Sequence, residues 1–345
     1  MPQPLPAAQT PMARRYAAGR RAVLFAFLAL AIALPSMVGN ASELNYAILV
    51  LMIAQAGVAW NILGGYAGQV SLGHAAFYGI GAYTSTQLLL QYNLSPWLGM
   101  VAGGLVATLF ALAIGWPCFR LKGHYFAMAT IAVAEILQIV VTNWDWLGGA
   151  VGLSLPVAEA GWRGFVFNKS NVPYYYIMLG LLLLTLGVNL LIERSFLGYY
   201  FRAIKDEPDA ARSVGIDLTR YKLIAIACSS FLTAIGGTFY AQKELFIDPG
   251  STMATSLSIK IALVAILGGV GSLGGPVVGA VILTAIEEST RAMFGGTGRG
   301  TDLIIYALLI IGVAVYYPGG VTGWWRELER RWFASVAERH ARAGP

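Results

Sequence analysis

Few side chains in this sequence could do chemistry, and most of them sit in apolar surroundings. Ser71 and His74 lie three residues apart. A serine nucleophile needs an imidazole base held in place by a third group, but the serines of this glycine-rich stretch have no plausible distant base. His74 therefore reads as a residue that caps or hydrogen-bonds the turn at a helix start. The other histidines are His124 and His340, and no H-E-x-x-H run occurs, so neither a metalloprotease nor any other metal site is expected. No G-x-x-x-x-G-K-[ST] loop is present to cradle ATP phosphates. Cys118 and Cys228 fall in apolar stretches and read as small buried thiols rather than a disulfide framework. No catalytic residue and no cofactor are expected within the chain.

The ionisable groups inside apolar stretches are Glu135, Lys260, Glu287 and Glu288. A charge at the centre of a bilayer costs about 2.5–3.5 kcal/mol on insertion scales, so each needs a partner or water. Glu135 could line a hydrated path, accept a proton or make a structural hydrogen bond. Glu287 and Glu288 fall toward an interface.

The elements that position these groups follow from composition. Of 345 residues, 57% are apolar and 12% charged, with 41 glycines and a mean hydropathy of +0.65. A soluble core cannot absorb that much hydrocarbon, and membrane helices use small residues to approach closely. The expected fold is an all-α, polytopic membrane helix bundle. Apolar spans read at 22–39, 44–63, 75–92, 96–119, 124–144, 173–192, 222–242, 256–293 with a glycine-rich break, and 302–317, giving about eight full crossings plus a hairpin. Lys and Arg concentrate in four clusters: Arg14 to Arg21, Arg120 with Lys122, Arg194 to Lys222, and Arg326 to Arg342, 17 of 23 in all. One orientation, with both termini cytoplasmic, puts all four on the inner side. The basic residues form no single patch, so the +6 net charge does not imply nucleic acid; the expected surroundings are membrane lipid. The organisation is a cytoplasmic segment 1–21, a membrane domain 22–322 containing a cytoplasmic loop 193–221, and a basic tail 323–345. The tryptophans at span ends, including Trp97, Trp144, Trp146, Trp324 and Trp325, read as interfacial anchors.

Two stretches echo each other: ILGGYAGQVSLGH at 62–74 and ILGGVGSLGG at 266–275. Glycine clusters interrupt membrane helices, and irregular backbone at membrane depth survives only inside protein or beside a wet cavity. Repeated broken helices often flank a solute route. Gly65, Gln69, Ser71, His74, Glu135, Gly269, Ser272 and Gly274 are the candidate lining of such a route; close helix packing is the alternative reading of the glycines.

The loop ERSFLGYYFRAIKDEPDAARSVGIDLTRYK, 193–222, carries a short helical stretch closed by Gly215 and suits a helix seated in a partner's groove. With the blocks AGQVSLGHAAFYGIGAY (67–83), RLKGHYFAMATIAVAEIL (120–137), RAIKDEPDAARSVGIDLTRYKL (202–223) and LGGVGSLGGPVVGA (267–280), the chain resembles the longer, M-type permease subunits of ATP-binding-cassette importers for branched-chain amino acids. The resemblance covers about residues 45–322. It implies that one helix around Arg202 to Gly215 is the coupling element, with Arg202, Asp206, Glu207, Ala210, Ala211 and Gly215 matching its pattern. It further implies a second homologous permease subunit, two ATP-binding subunits that hold all the ATP, an external solute-binding protein, and the inner membrane of a bacterium. His124 stands where the family usually has an acidic residue, and LGGAVGLSLP, 147–156, replaces a GPNG-like run. Permeases for urea, amides or aromatic compounds are similar, and a proton-coupled carrier using Glu135 is a further alternative.

Overall fold

The computed structural model describes residues 29–294 except 122, 157–160, 163 and 168–169, together with isolated positions between 304 and 323. Residues 1–21, the span at 302–317 and the basic tail fall outside the described residues apart from those isolated positions. The chain is almost entirely helical, as a bilayer requires of any segment that must satisfy its own backbone. The helices are α1 (29–37), α2 (Ala41–Asn61), α3 (His74–Tyr92), α4 (Pro96–Cys118), α5 (His124–Thr142), α6 (Val172–Arg194), α7 (Phe196–Asp206), α8 (Pro208–Ser213), α9 (Leu218–Glu244), α10 (Pro249–Thr252), α11 (Thr255–Gly268) and α12 (Gly275–Phe294). The spans read from the sequence up to residue 293 coincide with α1 to α6, α9 and the α11–α12 pair. Among the described residues, six stretches are long and apolar enough to cross a membrane, and α3 is not among them.

The place of α3 defines the architecture. It sits at the centre, with nearly every residue from His74 to Gln87 buried, packed against both α4 and the 27-residue α9, which also pack on each other. α2 packs against α6, α9 and the α11–α12 hairpin. α5 lies outermost, with only Phe126, Thr130, Ala134 and Val141 buried. Small residues set the close approaches: a Cβ at Gly237 would lie 1.9 Å from Tyr78 O, and one at Gly81 would lie 2.1 Å from Ala234 O. With the backbones in contact, Thr238 Oγ1 donates to Gly81 O at 3.0 Å. Polar pegs hold the second layer. Gln55 Nε2 donates to Leu232 O at 2.9 Å and to Thr185 Oγ1 at 3.2 Å, and Asn189 Nδ2 donates to Val58 O at 3.2 Å. Such bonds between membrane helices contribute roughly 0.6 kcal/mol each on average. Cys118 and Cys228 are free thiols.

Two features differ from the sequence reading. The stretch 145–172, which the spans at 124–144 and 173–192 leave as a bare connection, contains a 3₁₀ turn (Asp145–Leu147) and a strand β1 (Leu153–Ser154). β1 pairs antiparallel with β2 (Phe246–Ile247), Leu153 opposite Ile247 and Ser154 opposite Phe246. This ties the loop across the end of α9. Phe165, at φ 58, is fully buried there, its ring 4.8 Å from Trp97 and 5.9 Å from Phe239, and its carbonyl accepts from Tyr174 OH at 3.2 Å. The second difference is a correction: the single helix expected around Arg202 to Gly215 is two helices, α7 and α8. The chain breaks at Glu207, which is extended at φ −149 and ψ 86. Pro208 follows it, and a proline ring disfavours the helical conformation in the residue before it.

Candidate functional site: two glycine breaks meeting beneath the 193–222 loop

α2 does not stop at Asn61 but loosens into a π turn, Ile62–Tyr66. Ala67 N donates back to Ile62 O and Gln69 N to Leu63 O, and Gly68, at φ +69, turns the chain away. An ordinary side chain takes that conformation only at a cost of about 1–2 kcal/mol. The following residues lead to His74, where α3 begins deep inside the bundle, level with Ser229 in the body of α9. The second echoed stretch does the same with α11 and α12. The two breaks are in direct contact, which sequence alone did not show: Asn61 Nδ2 donates to Ser272 O at 3.0 Å and Asn61 Oδ1 accepts from Gly271 N at 2.8 Å. A Cβ at Gly65 would lie 2.7 Å from Gly271 N. One buried amide thus staples both breaks.

The exposed amides at the start of α3 are satisfied from three neighbouring segments. Leu72 N donates to Thr130 Oγ1 on α5 at 3.1 Å, Gly73 N to Ser71 Oγ at 3.3 Å, and Ala75 N to Ser258 Oγ on α11 at 2.8 Å. Unmade bonds of this kind at membrane depth would each cost several kcal/mol. Trp60 Nε1 donates to Ser71 O at 2.6 Å. His74 continues the chain of bonds. Ser229 Oγ has one proton and donates it to Ala59 O at 2.7 Å, so it accepts from His74 Nε2 at 2.8 Å. For the neutral ring this places the proton on Nε2 and leaves Nδ1 to accept from Ser71 Oγ at 3.2 Å. The contact between Ser71 and His74 is the spacing a nucleophile and base would use. Ser71 is 1% exposed and His74 fully enclosed, and the pair joins α2, α3 and α9.

Of the residues read as route lining, Gly65, Ser71, His74, Gly269 and Ser272 are buried within this chain. Gln69 is half-buried and folds its amide toward Ala67 O, while Gly274 and neighbouring Val70 are exposed. Glu135 is half-buried on α5 and accepts from Thr255 Oγ1 at the start of α11. Lys260 and Glu287 pair across the α11–α12 hairpin at 2.5 Å, both partly exposed. Asn61, Thr130, Ser229 and Ser258 were missed by the sequence reading because uncharged polar residues in apolar spans give no signal of their own. Asn61 alone carries a hint, since it directly precedes ILGG.

The 193–222 loop caps the same end. α7 buries Gly198, Phe201 and Ile204 against the bundle and leaves Phe196 and Tyr199 exposed. α8 protrudes: only Ala211 is buried, packed with Ile204 and Leu218, while Val214 at the tip is 77% exposed. Arg202 reaches Glu193, at 3.4 Å, and Asp206, Glu207 and Ala210 face outward. Gly215, at φ +88, completes a C-terminal cap in which Ile216 N donates to Ala211 O and Gly215 N to Arg212 O, the double bond pattern that ends a helix with a left-handed glycine.

Comparison with known proteins places this arrangement. The family model described as "Branched-chain amino acid transport system / permease component" matches residues 42–313, which contain both breaks and the 193–222 loop. The chain belongs to this permease family. The LivM permease protein of the high-affinity branched-chain amino acid transport system of Salmonella typhimurium is 30% identical over 311 residues, 84% of this chain and 70% of that protein. The LivH permease protein of the corresponding system in the same organism is 24% identical, covering 77% and 89%. The BraD permease protein of Pseudomonas aeruginosa is 25% identical over 286 residues, covering 77% and 90%. No solved structure gives a significant match. Membership makes the chain a multi-pass transport permease subunit, and it bears on Glu135. For a permease whose carboxylate is a hydrogen-bond acceptor, Glu135→Gln keeps an acceptor for Thr255, and uptake through the membrane is expected to stay within about two-fold of wild type. A loss of ten-fold or more would make the carboxylate charge itself part of the route.

Proposed function

We propose that this permease is one half of the membrane pore of an ATP-driven importer for branched-chain amino acids. A second homologous permease forms the other half, two ATP-binding subunits supply the energy, and an external binding protein delivers the solute. The chain lies in a bacterial inner membrane with both termini cytoplasmic, an orientation supported by the four basic clusters. Residues 22–322 are the permease domain, flanked by the short cytoplasmic segment and the basic tail. The observation that carries the reading is α8. A rigid, glycine-capped tip with Val214 bare to solvent has no role within this chain, and it fits an apolar groove on a partner. ATP binding by the partner subunits moves that tip as a body, and the pore switches its open side. Arg202, Asp206, Glu207, Ala210, Ala211 and Gly215 shape the docking element, and the glycine breaks at 65–74 and 269–274 shape the route or the hinge beside it. The relatives' names supply the solute class.

The test is uptake of labelled leucine by cells with and without this chain, in the presence of excess unlabelled isoleucine or urea. Chain-dependent uptake blocked by isoleucine and not by urea is the expected result. Leucine uptake that does not depend on the chain would move the substrate to urea, an amide or an aromatic solute while leaving the docking reading in place.

A further inference from the structure

The breaks and the docking loop are joined by one side chain. Lys205, in the last turn of α7, extends along the turn at Gly68, where a Cβ would stand 2.9 Å from Lys205 Cγ. Its ammonium donates to Gly65 O at 2.9 Å. The carbonyls at the end of the π turn lose their helical acceptor role where the chain leaves at Gly68, and a cation there both satisfies an orphan oxygen and complements the negative end of the helix. The same ammonium lies 3.4 Å from the position a Cβ would take on Gly271 of the second break. From Gly65 the contact passes to Asn61, four residues back on the same helix, and from Asn61 to Gly271 and Ser272. α7 is a firm base for this reach, since Phe201 and Ile204 are buried beneath it and a Cβ on Gly198 would lie 2.5 Å from Ile192 O at the α6–α7 corner.

We propose that Lys205 is the strut through which displacement of the docking loop reaches both glycine breaks. This rests on the importer reading above. Lys205 is a positioning residue, acting through its contacts with Gly65, Gly68 and Gly271. With the ammonium in place, α7 cannot shift along the bundle without carrying the end of α2, and Asn61 carries the 269–274 turn with it. With the ammonium gone, α7 still packs through Phe201 and Ile204, but the breaks are no longer pulled. The other cation of α7, Arg202, is turned to Glu193 at 3.4 Å, and the neighbouring Asp206 and Glu207 are carboxylates facing outward, so no second donor stands at Gly65 O.

The test uses the whole importer, this chain with its partner permease and ATPase subunits, in proteoliposomes supplied with the binding protein and labelled solute. The quantity read is solute taken up per ATP hydrolysed. For Lys205→Met the complex is expected to assemble and hydrolyse ATP within about two-fold of wild type while uptake per ATP falls at least ten-fold. Lys205→Arg, which still places a cationic donor at Gly65 O, is expected to recover most of it. An unchanged ratio in Lys205→Met overturns the strut, as does an equal fall in Lys205→Met and Lys205→Arg. If Lys205→Met does not copurify with its partners, the ratio is read in Lys205→Gln, whose amide is one bond too short for Gly65 O, and a normal ratio there overturns the strut in the same way. A wild-type complex with no ATP-dependent uptake removes the importer reading and the strut together, whereas a coupled wild type with a coupled methionine variant removes the strut alone.

Discussion

Gly237→Ala is expected to leave little folded protein in the membrane. The new Cβ would stand 1.9 Å from Tyr78 O and 2.7 Å from Tyr78 C, and both are backbone atoms of a central helix with no rotamer to change. Relief requires α3 and α9 to move apart, which opens the Thr238 bond to Gly81 O and the adjoining contact at Gly81, where a Cβ would already be 2.1 Å from Ala234 O. Overpacking of flexible core side chains costs about 1–3 kcal/mol, and a backbone-to-backbone clash belongs at or above the top of that range. A loss of about 3 kcal/mol lowers Tm by roughly 4 °C for a chain of this length. Size-exclusion profiles and thermal unfolding in detergent read the effect directly. Gly180→Ala and Gly187→Ala are the controls: both are on α6 with nothing within 4 Å of the new atom. They are expected to change stability by less than about 1 kcal/mol, because a helical glycine gains from a methyl group when nothing opposes it. A Gly237→Ala protein as monodisperse and as stable as the Gly180→Ala control would mean that α3 and α9 are not in backbone contact.

Gly215→Val is expected to separate ATP hydrolysis from uptake while leaving the protein at normal levels in the membrane. Around Gly215 there is open space, with nothing within 4 Å of a built Cβ, so the cost is conformational. At φ +88 an L-residue pays about 1–2 kcal/mol, and a β-branched one more. α8 has six residues, too few to stand on helix propensity alone, and its end depends on the bonds from Gly215 N and Ile216 N. Valine opens that cap and lets the Val214 tip lose its fixed direction, whereas the bundle beneath is untouched. Uptake by at least ten-fold less, with ATP hydrolysis by the partners persisting, is the expected result. Gly215→Asn, which tolerates the left-handed conformation, should retain most of the uptake. Full coupling in the valine variant would remove α8 from the docking surface.

What could be read in the sequence and what could not divides along a physical line. Membrane insertion acts on one segment at a time, so α2, α4, α5, α6 and α9 are written locally as long apolar runs, and the loop glycine at 215 as a helix stop. The two breaks were legible as interruptions for the same reason. Their contact was not, because Asn61 finds its partners 210 and 211 residues away and an asparagine in an apolar run has the same composition whichever partner it meets. Lys205 was hidden differently: it is an exposed residue like its neighbours, and among the charges of 202–212 nothing local marks the one lysine whose ammonium reaches Gly65 O. The split at Glu207 was readable from Pro208 and was overridden by the pattern of the docking block as a whole. The strands β1 and β2, two residues each, lie below the length at which alternation carries any signal.

The central position of α3 bears on how the chain is made. A segment leaving the ribosome partitions into lipid on its own hydropathy, and α3, with Tyr78, Tyr83, Ser85, Thr86 and Gln87 along its length, falls short of the stretches that would do so unaided. Its main partner α9 begins at Leu218, more than a hundred residues later in synthesis. Through that interval α3 has α4 and, more thinly, α5 to shield it, and its register is set when α9 arrives and the Gly81 and Gly237 surfaces close on each other. Biogenesis of this permease therefore has a late step in which an element already translated is drawn into place by one that follows, and chains truncated before Glu244 are the ones quality-control proteases should recognise.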